Sequence, residues 1–226
     1  MTASSTDPVT ISEFAELAGA EGWRVLSDGA YAFFRTDSFA ASASFIDGIA
    51  ELADLETHPP DVDVRQDGVT VRLVTVGENS FGMSQRDVEL ARQISALARE
   101  QSISIDPSMV QSLLIIPGAP DTSAVLPFWR AVLGYKPRGD SPDEDLIDPQ
   151  ARGPALWLES MDSPRADGGG AIHVAVWVPP EQAEARVEAA LAAGGRMVRD
   201  QFAPTWWTLT DAAGNEADIA TITRRD

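Results

Sequence analysis

Two histidines, His58 and His173, are the side chains of this sequence best suited to exchange protons near neutral pH. His58 stands at the end of a helical pattern, before two prolines and a run of alternating valines. A titratable ring at that junction could serve a catalytic or binding site, and it could equally be a structural cap or a surface residue. Cysteine is absent, which excludes disulfides, thiolate nucleophiles and cysteine metal sites.

His173 lies in a second pattern, the segment AIHVAVWV of residues 171–178. Because side chains alternate along a strand, His173, Ala175 and Trp177 share one face and the valines share the other. The valine row is suited to pack under a helix such as the one predicted over residues 180–193. We therefore expect His173 and Trp177 to face away from that helix, with the small Ala175 leaving room between them.

The first half of the sequence must position His58, and its patterns predict the order α-β-α-β-β-α. The helical patterns cover residues 11–21, 38–56 and 84–100, and the strand patterns cover residues 30–36 and 61–76. Ser38 is a predicted N-cap, and Ser84-x-x-Asp87 is a capping pattern at the start of the third helix. The Asp67-Gly68 pair predicts a hairpin between the two halves of the long strand pattern.

The second half must position His173, and its patterns predict two β-α-β units in tandem. Periodicity lapses over residues 101–109, which we interpret as a linker between a domain of residues 1–100 and one of residues 110–226. Strand patterns follow at residues 110–117, 154–161, 171–178, 205–211 and 216–222. Helical patterns cover residues 122–135, ending at Gly134, and residues 180–195. The fold class predicted for the whole chain is α+β.

The composition is that of a globular protein with a strong negative charge. The chain has 226 residues, of which 44% are hydrophobic, and its formal net charge is -18. A nucleic-acid partner is not expected, since such affinity comes largely from cationic contacts. The acidity favours a solvated surface, with a cationic partner as the alternative. We expect no membrane span and no signal peptide, and hence a cytoplasmic location.

Four segments in order carry a family resemblance: Gly22-Trp23, the helix pattern of residues 38–54, HPPDVDVRQDGVTVRLVT, and GMSQRDVELARQI. Over residues 10–100 the sequence resembles the pterin-4a-carbinolamine dehydratases. The resemblance implies dehydration of a 4a-hydroxytetrahydropterin, work that members do with three histidines. His58 matches the first of these, whereas Pro59 and Val76 stand where the other two belong. The catalytic residues it implies are therefore His58, Asp61 and Asp87.

The same resemblance implies two substrate contacts and a function. The substrate-binding residues would be Glu56, which flanks the site near His58, and Thr75, which directly precedes the hairpin-histidine position at Val76. The implied function is that of a 4a-hydroxytetrahydropterin dehydratase, or of a descendant that acts on another hydroxylated ring substrate. The alternatives are a non-catalytic binding protein with degenerate pockets, and a dimerisation partner of a transcription factor, a role known in this family. A homo-oligomer is a further expectation.

Three segments of the second half, PFWRAVLGY, IHVAVWVP and DAAGNEADIATI, resemble the glyoxalase-like branch of the vicinal-oxygen-chelate superfamily. Paired β-α-β-β-β modules would then form a cup. The resemblance implies a divalent metal held by Glu159, His173 and Glu216, although Leu114 stands at the first-strand ligand position. Tryptophans are also dense in this half, which predicts either core packing or the lining of a pocket for a flat apolar ligand. The candidate contacts of such a ligand are His173, Trp177 and Trp207. We expect His173 and Glu216 to be in direct or water-bridged contact.

Overall fold

The computed structural model describes residues 7–18, 22–52, 57–161, 172–210 and 216–223. The chain divides into two compact units. The first holds the described residues up to Val76 and from Phe81 to Val110, and the second holds Gly77–Ser80 and the described residues from Gln111 onward. Within these residues, no helix combines the length and the apolar character that crossing a membrane requires.

The first unit contains three α-helices and eight strands in its described part. The helices are α1 (Ile11–Leu17), α2 (Phe39–Ala50) and α3 (Gln85–Glu100). The strands are β1 (Pro8–Val9), β2 (Arg24–Leu26), β3 (Gly29–Arg35), β4 (Asp61–Arg65), β5 (Gly68–Leu73), β6 (Thr75–Val76), β7 (Phe81–Ser84) and β8 (Ser104–Ile105). The main sheet has the order β2-β3-β5-β4, with β8 also paired to β3, and a small sheet has the order β1-β7-β6.

Local sequence signals set the starts of α2 and α3 as predicted, whereas α1 and α2 end at Leu17 and Ala50, before the predicted ends at residues 21 and 56. Ser38 caps α2 by accepting a hydrogen bond from the backbone N–H of Ala41. Ser84 and Asp87 form a capping box at the start of α3. β4 and β5 are antiparallel, and Arg65 pairs with Gly68, so a two-residue turn joins them where the hairpin was predicted.

One face of the main sheet is covered by the helices. Phe34 of β3 and Phe45 of α2 are fully buried, and their ring centroids lie 4.8 Å apart. Val69 and Val71 of β5 are also fully buried in this core, together with Ile94 of α3. The alternation read from the sequence therefore produces the expected buried face.

The segment interpreted as a linker is part of the first unit. Residues 104–105 form β8, in which Ile105 pairs with Phe34, and a short 3-10 helix spans Pro107–Met109. The prediction of an irregular linker over residues 101–109 overlooked this strand because two residues are too few to show alternation. The strand β2 was overlooked for the same reason.

The second unit contains two α-helices and nine strands in its described part. The helices are α4 (Thr122–Leu133) and α5 (Pro180–Ala192). The strands are β9 (Ser112–Ala119), β10 (Lys136–Arg138), β11 (Ser141–Ile147), β12 (Ala155–Trp157), β13 (Glu159–Ser160), β14 (Ile172–Trp177), β15 (Arg196–Arg199), β16 (Trp206–Thr210) and β17 (Glu216–Ala220). They form one sheet with the order β10-β11-β12-β9-β14-β17-β16-β15, and β13 also pairs with β9.

This order is two copies of one β-α-β-β-β module placed side by side, as the sequence predicts. The first strands of the two modules, β9 and β14, are antiparallel neighbours at the centre. Each is flanked by a parallel strand from the end of its own module, β12 or β17. The strands β10, β11 and β15 complete the modules and were not predicted individually. Gly134 ends α4 in the left-handed conformation, with a φ of 67°.

The valine row of β14 is only partly covered by α5. Val178 is fully buried with Ala183 and Val187 of that helix, and Val176 packs against the same cluster. Ile172 and Val174, however, are 51% and 37% exposed. The prediction that the row packs under a helix is therefore confirmed for its second half, because α5 follows directly from that end of the strand.

Candidate functional site

The histidine at the helix-to-strand junction forms a short contact with a buried carboxylate. Nε2 of His58 lies 2.7 Å from Oδ1 of Asp87, although the two residues are 29 positions apart. The side chain of Asp87 is fully buried, and that of His58 is 14% exposed. His58 therefore has one ring edge fixed against the protein and a small part of its surface open to solvent.

The second oxygen of Asp87 is held by two other residues. Oδ2 lies 2.7 Å from Oγ1 of Thr75 and accepts the backbone N–H of Ser84 at 2.7 Å. The hydroxyl of Ser84 lies 3.0 Å from the same oxygen and 2.7 Å from Oγ1 of Thr75. Burial alone would raise the pKa of Asp87, but the hydrogen bonds from His58, Thr75 and Ser84 outweigh burial and lower it. Asp87 is therefore an ionised, immobilised acceptor.

The other predicted members of this site are arranged differently. Asp61 is half exposed and forms an ion pair with Arg72 of the neighbouring strand at 2.7 Å. Thr75 directs its hydroxyl to Asp87. Glu56 lies outside the described residues. The structure thus brings His58, Thr75 and Asp87 together, and it gives Asp61 a different partner.

The two positions at which the family pattern has histidine carry apolar, exposed residues. Pro59 follows His58 and is exposed, and Val76 at the end of β6 is 53% exposed. Neither side chain can bind or release a proton. His58, with Asp87 behind it, is therefore the one imidazole that the first unit offers at the site.

In the second unit, His173 also pairs with an aspartate that is held by a threonine. Nε2 of His173 lies 3.3 Å from Oδ2 of Asp218, and the hydroxyl of Thr208 donates to Oδ1 at 2.6 Å. The hydrogen bond to Asp218 is the main cause that raises the pKa of His173, against the opposing effect of burial. The negative charges of Glu159 and Glu216 raise it further.

The strand register places most of the predicted residues on one face of this sheet. Ala175 pairs with Asp218, so His173, Trp177 and Glu216 lie on the face that carries Asp218. Glu159 shares this face through its pairing with Gly118 of β9. His173 pairs with Asp218, and the negative charge of Glu216 raises the pKa of His173. The direct or water-bridged contact between His173 and Glu216 stays a prediction.

Trp207 lies on the other face of the sheet. It pairs with Ile219 and packs against the cluster of Val178, Leu209 and α5 residues. Its neighbour Trp206 has the opposite orientation and stacks on Phe202, with ring centroids 4.2 Å apart. The structure therefore assigns Trp207 to the helix-side core, and Trp206 is the aromatic residue of β16 on the face of His173.

The predicted metal ligands do not fit a metal site. In the part of the chain that the structure describes, no three His, Asp or Glu side chains are grouped so as to hold a metal ion. Leu114, at the first-strand ligand position, has no donor atom in its side chain, and Nε2 of His173 is engaged by Asp218. The structure therefore gives no support to the metal inferred for Glu159, His173 and Glu216.

Sequence reasoning missed Asp218, Thr208 and the supporting role of Ser84. Asp218 follows Glu216 by two residues in a strand pattern, so alternation alone places both on the same face. The contact of Asp218 with His173 depends on the pairing of β14 with β17, and a single sequence does not reveal that pairing.

The chain is an α+β protein with two units, and each unit holds a histidine side chain against an aspartate side chain. Residues 7–97 match the family model of pterin 4 alpha carbinolamine dehydratase, and residues 114–220 match that of a glyoxalase-like domain. An Aquifex aeolicus protein with the provisional name pterin-4-alpha-carbinolamine dehydratase is 33% identical over 85 residues, which are 38% of this chain and 84% of that protein. The chain belongs to the pterin-4-alpha-carbinolamine dehydratase family, to which it adds a glyoxalase-like domain.

The chain is also similar to a second relative and to two solved structures. A Nocardia farcinica protein with the same provisional name is 42% identical over 65 residues, which are 29% of this chain and 66% of that protein. Among solved structures, a transcriptional coactivator/pterin dehydratase from Brucella melitensis covers 41% of this chain and 99% of its own, at 27% identity and a TM-score of 0.36. A glyoxalase/bleomycin resistance protein/dioxygenase superfamily member from Vibrio splendidus covers 50% of this chain and 99% of its own, at 17% identity and a TM-score of 0.34.

Proposed function

We propose that the chain is a lyase that removes water from a hydroxylated nitrogen-containing ring, of which a 4a-hydroxytetrahydropterin is the first candidate. The observation that carries this proposal is the 2.7 Å contact between His58 and Asp87 at the family's histidine position. Imidazole suits such a dehydration because its pKa lies near the working pH. An ionised carboxylate behind the ring orients it and stabilises its protonated form.

The reaction needs one proton to be moved and no redox partner. His58 takes the proton from the ring nitrogen next to the carbinolamine carbon, and the electron pair of that N–H bond forms a C=N bond. The C–O bond breaks, and its electrons leave with the hydroxide. Protonated His58 then gives its proton to the hydroxide, so that water departs and the imidazole is neutral again. A single imidazole can carry out both transfers in sequence.

The same geometry supports a slow reaction or a changed substrate. Pro59 and Val76 present apolar surface where two further imidazoles would act, so each proton transfer that they would assist must use His58 or water. One general acid–base group contributes about 10²- to 10⁴-fold. We expect turnover of the pterin to be at least about 10²-fold slower than in a three-histidine relative. We also expect a ring substrate with a more labile hydroxyl group to react faster than the pterin.

The test is to follow dehydration of freshly generated 4a-hydroxytetrahydropterin by absorbance, with purified full-length chain and with the His58→Gln variant. Catalysis above the spontaneous rate that His58→Gln abolishes supports the proposal. Saturable binding of the pterin without catalysis supports the alternative, a binding protein that retains the shape of the pocket. Absence of both contradicts a pterin ligand and directs the search to other hydroxylated rings.

For the second unit we propose small-molecule binding at the face of His173. The support is the Thr208–Asp218–His173 series of contacts together with Trp177 and Trp206 on the same face. Binding of fluorescent or tryptophan-quenching ring compounds, compared between the wild type and His173→Gln, tests this proposal. Quenching that the substitution leaves unchanged would contradict it.

A further inference from the structure

Thr75 is linked to His58 through the carboxylate of Asp87. Its hydroxyl lies 2.7 Å from Oδ2 of Asp87 and 2.7 Å from Oγ of Ser84, so both of its short contacts are within the protein. Nε2 of His58 lies 2.7 Å from Oδ1 of the same carboxylate. The route from Thr75 to His58 therefore runs through one buried carboxylate.

The contacts of Asp87 determine which imidazole nitrogen carries the proton. Its side chain is fully buried and surrounded by N–H and O–H groups of Thr75, Ser84 and His58. An ionised carboxylate only accepts hydrogen bonds, so a 2.7 Å contact with neutral His58 requires the hydrogen to lie on Nε2. Nδ1 then holds the lone pair and is the nitrogen that can take a proton from a substrate.

Thr75 and Ser84 hold the carboxylate from two different elements. Ser84 precedes α3 and binds Asp87 as part of a capping box, a local motif that would form in many helices. Thr75 belongs to β6 and is 12 positions away from Asp87. It therefore ties the rotamer of Asp87 to the sheet, and its β-branched side chain has restricted rotation about χ1.

We propose that Thr75 is a positioning residue, rather than a substrate contact, that fixes the carboxylate of Asp87 and thereby keeps His58 in its Nε2–H tautomer. The tautomer is a property of the resting protein. The catalytic consequence, that Nδ1 is the proton-exchanging atom, rests on the lyase function proposed above. The two parts have separate measurements.

The experiment compares Thr75→Val with Thr75→Ser, and uses Thr70→Val on β5 as a matched control for the same change in the same unit. Nitrogen-15 NMR of the imidazole reports the tautomer of neutral His58, and the spectrum of His58→Gln assigns the signals because the chain has one other histidine. We expect the Nε2–H tautomer in the wild type, in Thr75→Ser and in Thr70→Val, and a mixture of both tautomers in Thr75→Val. Should Thr75→Val not fold, Thr75→Ala removes the same hydroxyl with a smaller side chain.

Kinetics then separate positioning from substrate contact. We expect Thr75→Val to lower kcat by roughly 10- to 100-fold with little change in KM, since a displaced catalytic group can cost about 10²-fold, and Thr75→Ser to recover most of it. A raised KM with unchanged kcat and tautomer would overturn the proposal in favour of substrate binding. A pure Nε2–H tautomer in Thr75→Val would overturn it as well. If the wild type does not turn over the pterin, dehydration of that substrate is contradicted, and the NMR result still decides the role of Thr75.

Discussion

Nε2 of His58 and Oδ1 of Asp87 lie 2.7 Å apart, and this contact joins the turn before β4 to the first helical turn of α3. The carboxylate is fully buried, so its charge is stabilised by the groups that hydrogen-bond to it and not by water. A histidine in this position is oriented before any ligand arrives. The contact therefore serves both the stability of the unit and the chemistry proposed for it.

Removing the imidazole should abolish the reaction and spare the fold. We expect His58→Gln to lower kcat/KM for the pterin by about 10²- to 10⁴-fold, because it removes the acid–base group. His58 is partly exposed, so the far-ultraviolet circular dichroism should stay that of the wild type. Asp63→Asn, a change at an exposed position of strand β4, is the control and should leave the rate unchanged. A rate for His58→Gln within twofold of the wild type would contradict the assignment.

Restoring the missing histidines should raise the rate. The double variant Pro59→His/Val76→His adds two imidazoles at exposed positions, where new side chains meet little steric resistance. We expect kcat/KM for the pterin to rise about 10-fold or more, measured against the wild type in the same absorbance assay. The same double variant in a His58→Gln background is the control, and it should remain slower than the variant that keeps His58. An unchanged rate would mean that the pocket has diverged in more than these two positions.

The sequence predicts much of the fold because local signals and tertiary structure agree. The capping pair Ser84 and Asp87, the N-cap Ser38 and the stop at Gly134 act within one turn of chain, where a single sequence is informative. The strands β2 and β8 are too short to show a period. The pairing of β8 with β3, which places Ile105 beside Phe34, is in addition a long-range event. Propensity does not encode such pairing.

The candidate sites were predicted less completely because their contacts are set by register and rotamer. His58 and Asp87 could be named from the resemblance, but the 2.7 Å contact between them depends on how α3 meets the turn before β4. Trp206 and Trp207 are adjacent in sequence, and only the pairing of β16 with β17 decides which one faces the side of His173.

The boundary of the first unit can be tested with two fragments. A fragment of residues 1–110 keeps β8, the hydrogen bond from Asp106 to the carbonyl of Phe33, and the ion pair of Arg35 with Asp106. A fragment of residues 1–100 lacks them and loses the packing of Ile103 and Ile105 on the core. We expect the shorter fragment to be less stable by about 3 kcal/mol or not to fold, since burying such a side chain contributes about 1.5–3 kcal/mol. Equal urea midpoints for the two fragments would show that β8 is dispensable.

Replacing the buried carboxylate should destabilise the first unit in a pH-dependent way. In Asp87→Asn an amide meets N–H and O–H groups that need an acceptor, and we expect a loss of about 1–3 kcal/mol at pH 7. The folded pKa of Asp87 lies below its ordinary value of 3.8, so its contribution is complete above that pH and is lost as the pH falls through the folded pKa. Urea unfolding of the wild type and of the variant should therefore converge below about pH 4. A difference that stays constant down to pH 2 would contradict this account.

The pair in the second unit offers a direct titration. The hydrogen bond to Asp218 is the largest cause that raises the pKa of His173, and burial opposes it. We expect Asp218→Asn to lower this pKa, because burial then acts with less opposition, as measured by the proton NMR titration of the imidazole and assigned with His173→Gln. Glu184→Gln on the exposed side of α5 removes the same unit of charge and should have little effect. Because the pKa of His173 is raised in the folded protein, protonated His173 stabilises the unit at pH values below 6.5, the ordinary pKa of histidine. This contribution is lost as the pH rises through the folded pKa. A pKa that Asp218→Asn leaves unchanged would show that the charges of Glu159 and Glu216, and not the contact with Asp218, control this histidine.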